Sequence, residues 1–146
     1  MLTSRHFCVT SNTMDAVRLT VRVDFGTNRA LGPGKIRLLE EIGRTGSISR
    51  AGRALDMSYR RAWLLIDDLN RSFREPVVTK QPGGARGGGA ALTPFGRELI
   101  GQYRSIESQA TAAARQQLRA LEASLRNRAR RPQKRFKTSI KAAAAR

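Results

Sequence analysis

The chain has 146 residues, with 28 Lys and Arg against 11 Asp and Glu and a net charge of +17. This length allows one domain with its own hydrophobic core. So large a positive excess favours a polyanionic partner, nucleic acid above all, over an acidic small molecule. The single cysteine, Cys8, excludes an internal disulfide, and no apolar run approaches the roughly 18 to 20 residues that span a bilayer. We therefore expect a cytoplasmic protein without a membrane partner.

The beginning of the chain divides into two parts. Residues 1–15 have no clear periodicity, and we predict a flexible extension there. From residue 16, "AVRLTVRVDF" alternates apolar and polar side chains, which is the period of a strand with one buried face. The sequence thus predicts a folded domain that starts at residue 16 with a strand.

Three short helices are predicted next. The first lies in "GPGKIRLLEEIGRTG", has apolar residues at three-residue spacing and ends at Gly46. Ser47 and Ser58 are predicted N-caps of the second and third helices, which very little chain separates. The second helix ends near Asp56, and its apolar stripe of small residues allows another helix to approach closely. The apolar side of the third helix consists of Ala62, Ile66, Leu69 and Phe73.

The rest of the chain is predicted to contain a hairpin, a long helix and a tail. The stretches "EPVVTKQ" and "ALT" are typical of two strands joined by the glycine-rich "PGGARGGGA", so that the domain extends over residues 16–93. Pro94 is a favoured first-turn residue, and a helix is predicted over residues 94–125. Residues 126–146 carry nine basic residues and no acidic one, and we predict that they are disordered in the free protein.

The order of these elements predicts a mainly α fold with a small β component, a winged helix-turn-helix followed by a long C-terminal helix. Such a domain places the first turn of its recognition helix in the major groove of double-stranded DNA. The run "SYRR" at residues 58–61 occupies this position, and Trp63 is predicted to pack between the helix and the hairpin. The glycines of the hairpin allow a close approach to DNA because they have no Cβ. The predicted DNA-binding residues are Ser47, Ser49, Ser58, Tyr59, Arg60, Arg61, Lys80 and Arg86.

Other functions have less support in the sequence. The glycine spacing matches no phosphate-binding loop, and His6 and Cys8 are too few ligands to hold a metal. No histidine lies near a serine that could act as a nucleophile. We therefore predict neither an enzyme nor a metal or cofactor site. Two alternatives stay open: a non-specific nucleic-acid-binding protein, architectural or associated with RNA, and a module that binds proteins through its winged helix.

Three motifs carry a resemblance to a known family: "GSIS" at residues 46–49, "SYRRAW" at residues 58–63, and the glycine hairpin that ends in Leu92 and Thr93. With the sequence around them, from about residue 14 to 107, they closely resemble the N-terminal DNA-binding domain of the ModE family of molybdate-responsive transcriptional regulators. The winged helix of that family is related to the one in LysR-type regulators.

The resemblance implies a homodimer on a palindromic DNA operator. Its subunits pair through the terminal helix and the strand before the first helix, which places two recognition helices side by side. The spacing alone says only that the terminal helix has apolar residues to bury, so packing onto its own domain is the alternative. The candidate dimerisation residues are Leu99, Tyr103, Ile106, Leu118 and Leu121.

The resemblance does not extend to the ligand-binding part of the family. Full-length members carry C-terminal oxyanion-binding modules that sense molybdate, whereas this chain has an arginine-rich stretch in that place. We expect a stand-alone, sequence-specific transcriptional regulator that does not bind molybdate directly, with a link to molybdenum-related genes. The basic tail is expected to add affinity that does not depend on DNA sequence and that weakens with salt.

Overall fold

The computed structural model describes residues 17–82 and 89–125. The predicted N-terminal extension, the predicted basic tail and Arg86 lie outside this part of the chain. The mainly α fold with a small β component is confirmed, as a winged helix-turn-helix followed by C-terminal helices. The elements are β1 (Val23–Asp24), β2 (Ala30–Leu31), α1 (Pro33–Thr45), α2 (Ile48–Ala54), α3 (Tyr59–Ser72), β3 (Val78–Gln81), β4 (Gly89–Leu92), α4 (Pro94–Ala113) and α5 (Arg115–Ser124).

The strand predicted from residue 16 to 25 is much shorter than expected. Only Val23–Asp24 forms a ladder, antiparallel to Ala30–Leu31, although burial alternates along residues 17–24 as the sequence pattern indicated. The reason is the length of the partner, because β2 ends after two residues where Gly32 and Pro33 begin α1. Within the described chain, residues 17–22 therefore run as an extended segment without a paired strand.

Helix α1 is the central element of the core. Pro33 begins it, and Gly46 ends it in the left-handed conformation with φ of 65°, as the sequence predicted. The backbone N–H of Gly46 donates to the carbonyl of Ile42 at 2.8 Å, which satisfies one of the last carbonyls of the helix. Four apolar side chains of α1 are fully buried against the neighbouring helices and the hairpin: Ile36, Leu38, Leu39 and Ile42.

Helix α3 packs its predicted apolar side against α1 and α2. Ala62, Ile66 and Leu69 are buried, whereas Phe73, just after the helix, is half-buried. The Phe73 ring makes edge-on contacts with Phe25 at 5.6 Å and with Phe95 at 5.4 Å between ring centroids. These rings connect the loop after β1 to the start of α4 at the edge of the core, where Phe25 itself is 40% exposed.

The predicted helix over residues 94–125 is interrupted at Ala114, which has φ of −92° and ψ of 5° and separates α4 from α5. Its N–H still donates to the carbonyl of Ala110 at 3.0 Å, and its own carbonyl accepts from Leu118 at 2.9 Å. The interruption is therefore a local departure from ideal helix geometry within a nearly continuous hydrogen-bonded helix. The sequence contains no proline or glycine there that would have indicated it.

Two of the candidate dimerisation residues belong to the core of the single chain. Leu99 is 5% exposed and Tyr103 is 1% exposed. The Tyr103 hydroxyl donates a hydrogen bond of 2.7 Å to the carbonyl of Val21, so the side chain fastens the N-terminal extended segment to α4. Intramolecular packing covers both side chains, which is the alternative that the spacing left open for this part of the helix. Ile106 and Leu121 are exposed, and Leu118 is half-buried.

An arginine also joins α4 to α1. The Arg104 guanidinium donates two bonds of 2.8 Å to the two oxygens of Glu40 and one of 2.6 Å to Glu107. Hydrogen bonding to these carboxylates raises the pKa of Arg104 above its ordinary value, and Glu40 makes the largest contribution. These charges are roughly a third exposed, so the cluster orients the two helices more than it stabilises them.

None of the helices in residues 17–82 and 89–125 is long and apolar enough to cross a membrane.

Candidate nucleic-acid interface

The two helices of the helix-turn-helix cross very closely. A Cβ atom on Gly52 of α2 would lie 3.2 Å from the Cβ of Ala62 in α3 and 3.3 Å from the carbonyl oxygen of Met57. The Gly52 carbonyl accepts from the N–H of Met57 at 2.9 Å, and Asp56 adopts a φ of 53° to close the turn. These small residues and this tight turn hold α3 at a defined angle to α2.

Both helices start at a serine N-cap, as the sequence predicted. The Ser47 hydroxyl accepts from the N–H of Arg50 at 3.3 Å, and the Ser58 hydroxyl accepts from the N–H of Arg61 at 3.2 Å. Each cap satisfies one of the unpaired N–H groups of a first helical turn and leaves the others directed outward.

The first turn of α3 projects away from the core. Tyr59 is 58% exposed and Arg60 and Arg61 are also exposed, whereas Ala62, the next residue, is completely buried. The sharp change from exposed to buried comes from the close contact between Ala62 and Gly52 described above. Three large polar side chains are therefore displayed together at the start of one helix.

Backbone and amide hydrogen bonds hold the hairpin β3–β4, the wing, beside these helices. The Ala90 N–H donates to the carbonyl of Gly46, between α1 and α2, at 2.9 Å. The Asn70 side chain accepts from the N–H groups of Val77 and Val78 at 2.8 Å and 3.2 Å. It also donates to the Val78 carbonyl at 3.0 Å. The wing is thus attached at one edge to the helix-turn-helix corner and at its start to the end of α3.

A groove of about 260 Å³ lies between the helix-turn-helix and the wing. It brings together four of the predicted DNA-binding residues, Ser47 and Ser49 from the start of α2, Tyr59 from the start of α3, and Lys80 from β3. No carboxylate is among the side chains that line it. Its lining residues are Ser47, Ile48, Ser49, Tyr59, Lys80, Gln81, Gly89 and Ala90.

Trp63 lies between α3 and the wing, where the sequence predicted it. It lines a small cleft with Ile48 of α2 and Val78 of β3, and it is half-buried. The Lys80 ammonium lies 6.0 Å from the centroid of the indole ring, at the outer limit of a cation–π contact. The Trp63 ring therefore lies beside the Lys80 side chain, which remains exposed.

The remaining predicted residues have different positions. Ser58 and Arg60 are exposed at the start of α3, next to the groove. Arg61 lies on the other side of the helix start and lines a second groove with Lys35, Met57 and other residues. Arg86 lies outside the described residues. The described residues of the predicted set therefore fall into two groups. One group lines the groove between the helix-turn-helix and the wing, and the other lies on the exposed start of α3 outside that groove.

Two residues of this region were not predicted. Gln81 lines the groove beside Lys80, and its place follows from strand β3 extending to Gln81. Asn70 positions the wing, but its partners are backbone groups seven and eight residues further on. No local pattern signals such a contact, although a polar residue on the half-buried side of an amphipathic helix is a hint that it has a partner.

A tight helix-turn-helix, an outward recognition-helix start and an adjacent β-hairpin define a winged helix-turn-helix domain of the DNA-binding class. The family model for "Bacterial regulatory helix-turn-helix protein, lysR family" matches residues 34–97. The chain therefore contains a LysR-type helix-turn-helix domain, the DNA-binding domain of bacterial transcription regulators.

The relatives of this chain include proteins of the ModE type. It is 43% identical over 96 residues to the molybdenum transport protein ModE of Azotobacter vinelandii, a match that covers 66% of this chain and 35% of the relative. It is 48% identical over 82 residues to the molybdenum-pterin-binding protein MopB of Rhodobacter capsulatus, covering 56% and 30%. It is also 39% identical over 71 residues to the DNA-binding transcriptional dual regulator ModE of Escherichia coli, covering 49% and 27%. The chain thus spans about a third of the length of these relatives.

Proposed function

We propose that the protein is a sequence-specific transcriptional regulator that binds a palindromic DNA operator as a homodimer and regulates molybdenum-related genes. The observation that carries this proposal is the exposed first turn of α3, with Tyr59, Arg60 and Arg61, beside a wing attached to the same domain. A helix of this kind fits the major groove, and its leading residues reach base edges and phosphates.

The arginines of α3 and the residues that line the groove beside the wing have different roles in this proposal. Arg60 and Arg61 reach into the major groove of the DNA, where an arginine donates two hydrogen bonds to guanine. Ser47, Ser49 and Lys80 contact the phosphate backbone through the groove of about 260 Å³. The positive charge of Lys80 suits a phosphate, and the serine hydroxyls add neutral donors. The wing tip with Arg86 is proposed to reach the neighbouring part of the duplex.

Dimerisation is supported by apolar surface on the C-terminal helices. Helix α5 buries none of its residues in the described chain. Its apolar side contains Leu118 and Leu121, and Leu121 is 59% exposed. Ile106 of α4 is 46% exposed. An apolar helix surface of this kind gains stability when a second helix covers it. The second copy of this chain is the proposed cover, and the extended residues 17–22 are a further candidate contact.

The molybdenum link is supported by the names of the relatives, which concern molybdenum transport and molybdenum-pterin binding. The shared residues are those of the helix-turn-helix domain, so the proposal concerns the genes that are regulated. It assigns no molybdate site to the described residues.

Binding to DNA fragments from the promoter of the protein's own gene tests the proposal. We expect a gel-shift that prefers this DNA over scrambled DNA of the same composition. Arg60→Ala and Arg61→Ala should each weaken the preferred complex about 10- to 100-fold, as expected for the loss of a bidentate base contact. Arg71→Ala is the matched control because Arg71 lies at the far end of α3 and pairs with Asp67. Equal affinity for both DNAs would contradict the proposal.

The net charge of +17 favours a second candidate function, non-specific binding to nucleic acid. Removal of residues 126–146 distinguishes the two candidates. A specific regulator keeps its preference for one sequence when overall affinity falls, whereas an architectural protein loses most of its binding. A preference that disappears with these residues would favour the second candidate.

The oligomeric state of the full chain tests the proposed dimer. We expect a dimer by analytical ultracentrifugation, and Leu121→Asp should convert it to a monomer because a carboxylate would be placed in an apolar interface. Leu64→Asp is the matched control, since Leu64 of α3 is similarly exposed, at 52%, and lies on a different helix. A monomeric wild-type chain would contradict the dimer.

A further inference from the structure

A large apolar side chain stands on the outer face of the recognition helix. Leu64 of α3 is 52% exposed and is absent from the set of apolar residues that pack against the core, which includes its neighbour Leu65. Ala62 and Ile66, two positions before and after it, are buried. Residues two apart in a helix point about 200° apart, so Leu64 is directed away from the core.

The position of Leu64 places it among the proposed DNA-reading residues. It follows Arg60 by four residues and Arg61 by three, and these are the spacings at which side chains share one helix surface. Helical side chains incline toward the N-terminus, so the Leu64 side chain covers the surface between the two arginines. A single exposed leucine is ordinary on a protein surface. This one occupies the middle of the face that the two arginines define.

Leucine has no hydrogen-bonding group and can recognise only an apolar feature of DNA. In the major groove, the base edges present donors, acceptors and one apolar group, the C5 methyl of thymine. A leucine placed against the amino group of cytosine would remove that donor from water without replacing its hydrogen bond. The chemistry of the side chain therefore favours thymine over cytosine at the position that it contacts.

We infer that Leu64 contacts a thymine methyl group in the major groove and selects thymine at one position of each half-site. This inference rests on the proposed function, since it requires α3 to enter the groove. It adds a specificity-determining residue to the arginines that the sequence motif indicated. The predicted half-site thus combines a guanine read by an arginine with a nearby thymine read by Leu64.

The test uses DNA in which single thymines are replaced by deoxyuridine, which lacks only the methyl group. The preferred duplex is first obtained by selection from random DNA with the full chain. We expect one thymine in each half-site whose replacement weakens wild-type binding about fourfold, the amount typical of one buried methyl group. Leu64→Ala should bind the thymine duplex more weakly and should no longer distinguish thymine from deoxyuridine at that position.

Two controls separate readout from a structural role. Leu125→Ala removes the same atoms from another leucine that is 57% exposed, and it should keep the full response to deoxyuridine. Thermal unfolding of Leu64→Ala should match the wild type, because the side chain is not part of the core. A lowered unfolding midpoint would overturn the inference, since it would show that Leu64 acts in packing.

The remaining outcomes also distinguish this inference from the proposed function. Specific binding that no deoxyuridine replacement weakens would overturn the role of Leu64 and leave the regulator intact. A methyl dependence that persists in Leu64→Ala would assign the contact to another residue and would also overturn it. Selection that returns no preferred sequence would overturn the proposed function and this inference together.

Discussion

The helix-turn-helix with its wing and helix α5 are built from similar residue types but differ in packing. Between Pro33 and Gly96, every helix contributes buried residues, and hydrogen bonds that the wing donates to the Asn70 side chain and the Gly46 carbonyl hold it in place. Helix α5 carries leucines too, and in the described chain none of them is buried. An amphipathic pattern thus identifies residues that need burial but does not say which chain provides the cover.

The two regions also differ in what determines their stability. A helix of 10 residues is marginal in water without tertiary contacts. Helix α5 continues α4 almost without interruption, so α4 provides its nucleus, and its apolar side remains uncovered. The helix-turn-helix with its wing is therefore the part whose stability the single chain determines, whereas α5 is the part whose stability a partner can change.

The largest effect is expected where the wing meets α4. A Cβ on Gly96 would lie 2.3 Å from the carbonyl oxygen of Val77, so Gly96→Ala forces the backbone apart and should lower the free energy of unfolding by about 4 kcal/mol. Gly101→Ala, in the same helix, meets no atom within 4 Å and should raise it by about 0.5 to 1 kcal/mol. Urea unfolding measures both, and equal effects would contradict the predicted contact.

A smaller loss is expected for the link between α3 and the wing. Asn70→Ala leaves the N–H groups of the buried residues Val77 and Val78 without their partner, which should cost about 2 kcal/mol of unfolding free energy. Asn70→Asp keeps an acceptor for these N–H groups and loses the donor to the Val78 carbonyl, so its effect should be intermediate. An Asn70→Ala variant as stable as the wild type would show that the link is unimportant.

Tyr103→Phe should have a smaller effect that depends on pH. The change removes the hydrogen bond to the Val21 carbonyl, worth about 1 kcal/mol. Burial raises the pKa of Tyr103 above its ordinary value of 10.0, so the folded state favours the neutral phenol. The contribution is full below pH 10 and is lost as pH rises through the pKa of the folded state. Urea unfolding at neutral and alkaline pH should show the two proteins converging; a constant difference would contradict this.

The smallest effect on the folded chain is expected at α5. Leu121→Ala should change the unfolding free energy of the monomer, measured at low protein concentration, by less than about 0.5 kcal/mol. Leu99→Ala is the matched core variant and should cost about 2 to 5 kcal/mol. A large loss for Leu121→Ala under these conditions would mean that α5 packs on its own domain and would remove the contrast between the two regions.

Local sequence patterns predicted most of the domain. The serine caps, the left-handed glycine at residue 46 and the apolar stripes placed α1 to α3 and the hairpin, because these signals act between residues close in sequence. Contacts between distant residues were not predictable in this way. The short β1 depends on the length of its partner strand, and the attachment of the wing depends on Asn70 and on backbone groups of Gly46 and Ala90.

The candidate site shows the same limit. The run "SYRR" indicated the start of the recognition helix because hydroxyl and arginine residues precede a buried stripe. That Arg61 lies on a different side of the helix from the groove with Lys80 depends on where the wing packs, which no spacing encodes. Leu99 and Tyr103 are buried whereas Leu121 is exposed, and this difference depends on which apolar residues the rest of the single chain covers.

The bond between the Ala90 N–H and the Gly46 carbonyl joins two main-chain groups. The bond uses no side-chain atom, so it does not depend on the sequence of the hairpin tip. The hairpin can therefore vary in sequence between Gln81 and Gly89 while strand β4 keeps its anchor on the domain. Segments exchanged between these two residues would therefore leave the attachment of the hairpin to the domain unchanged.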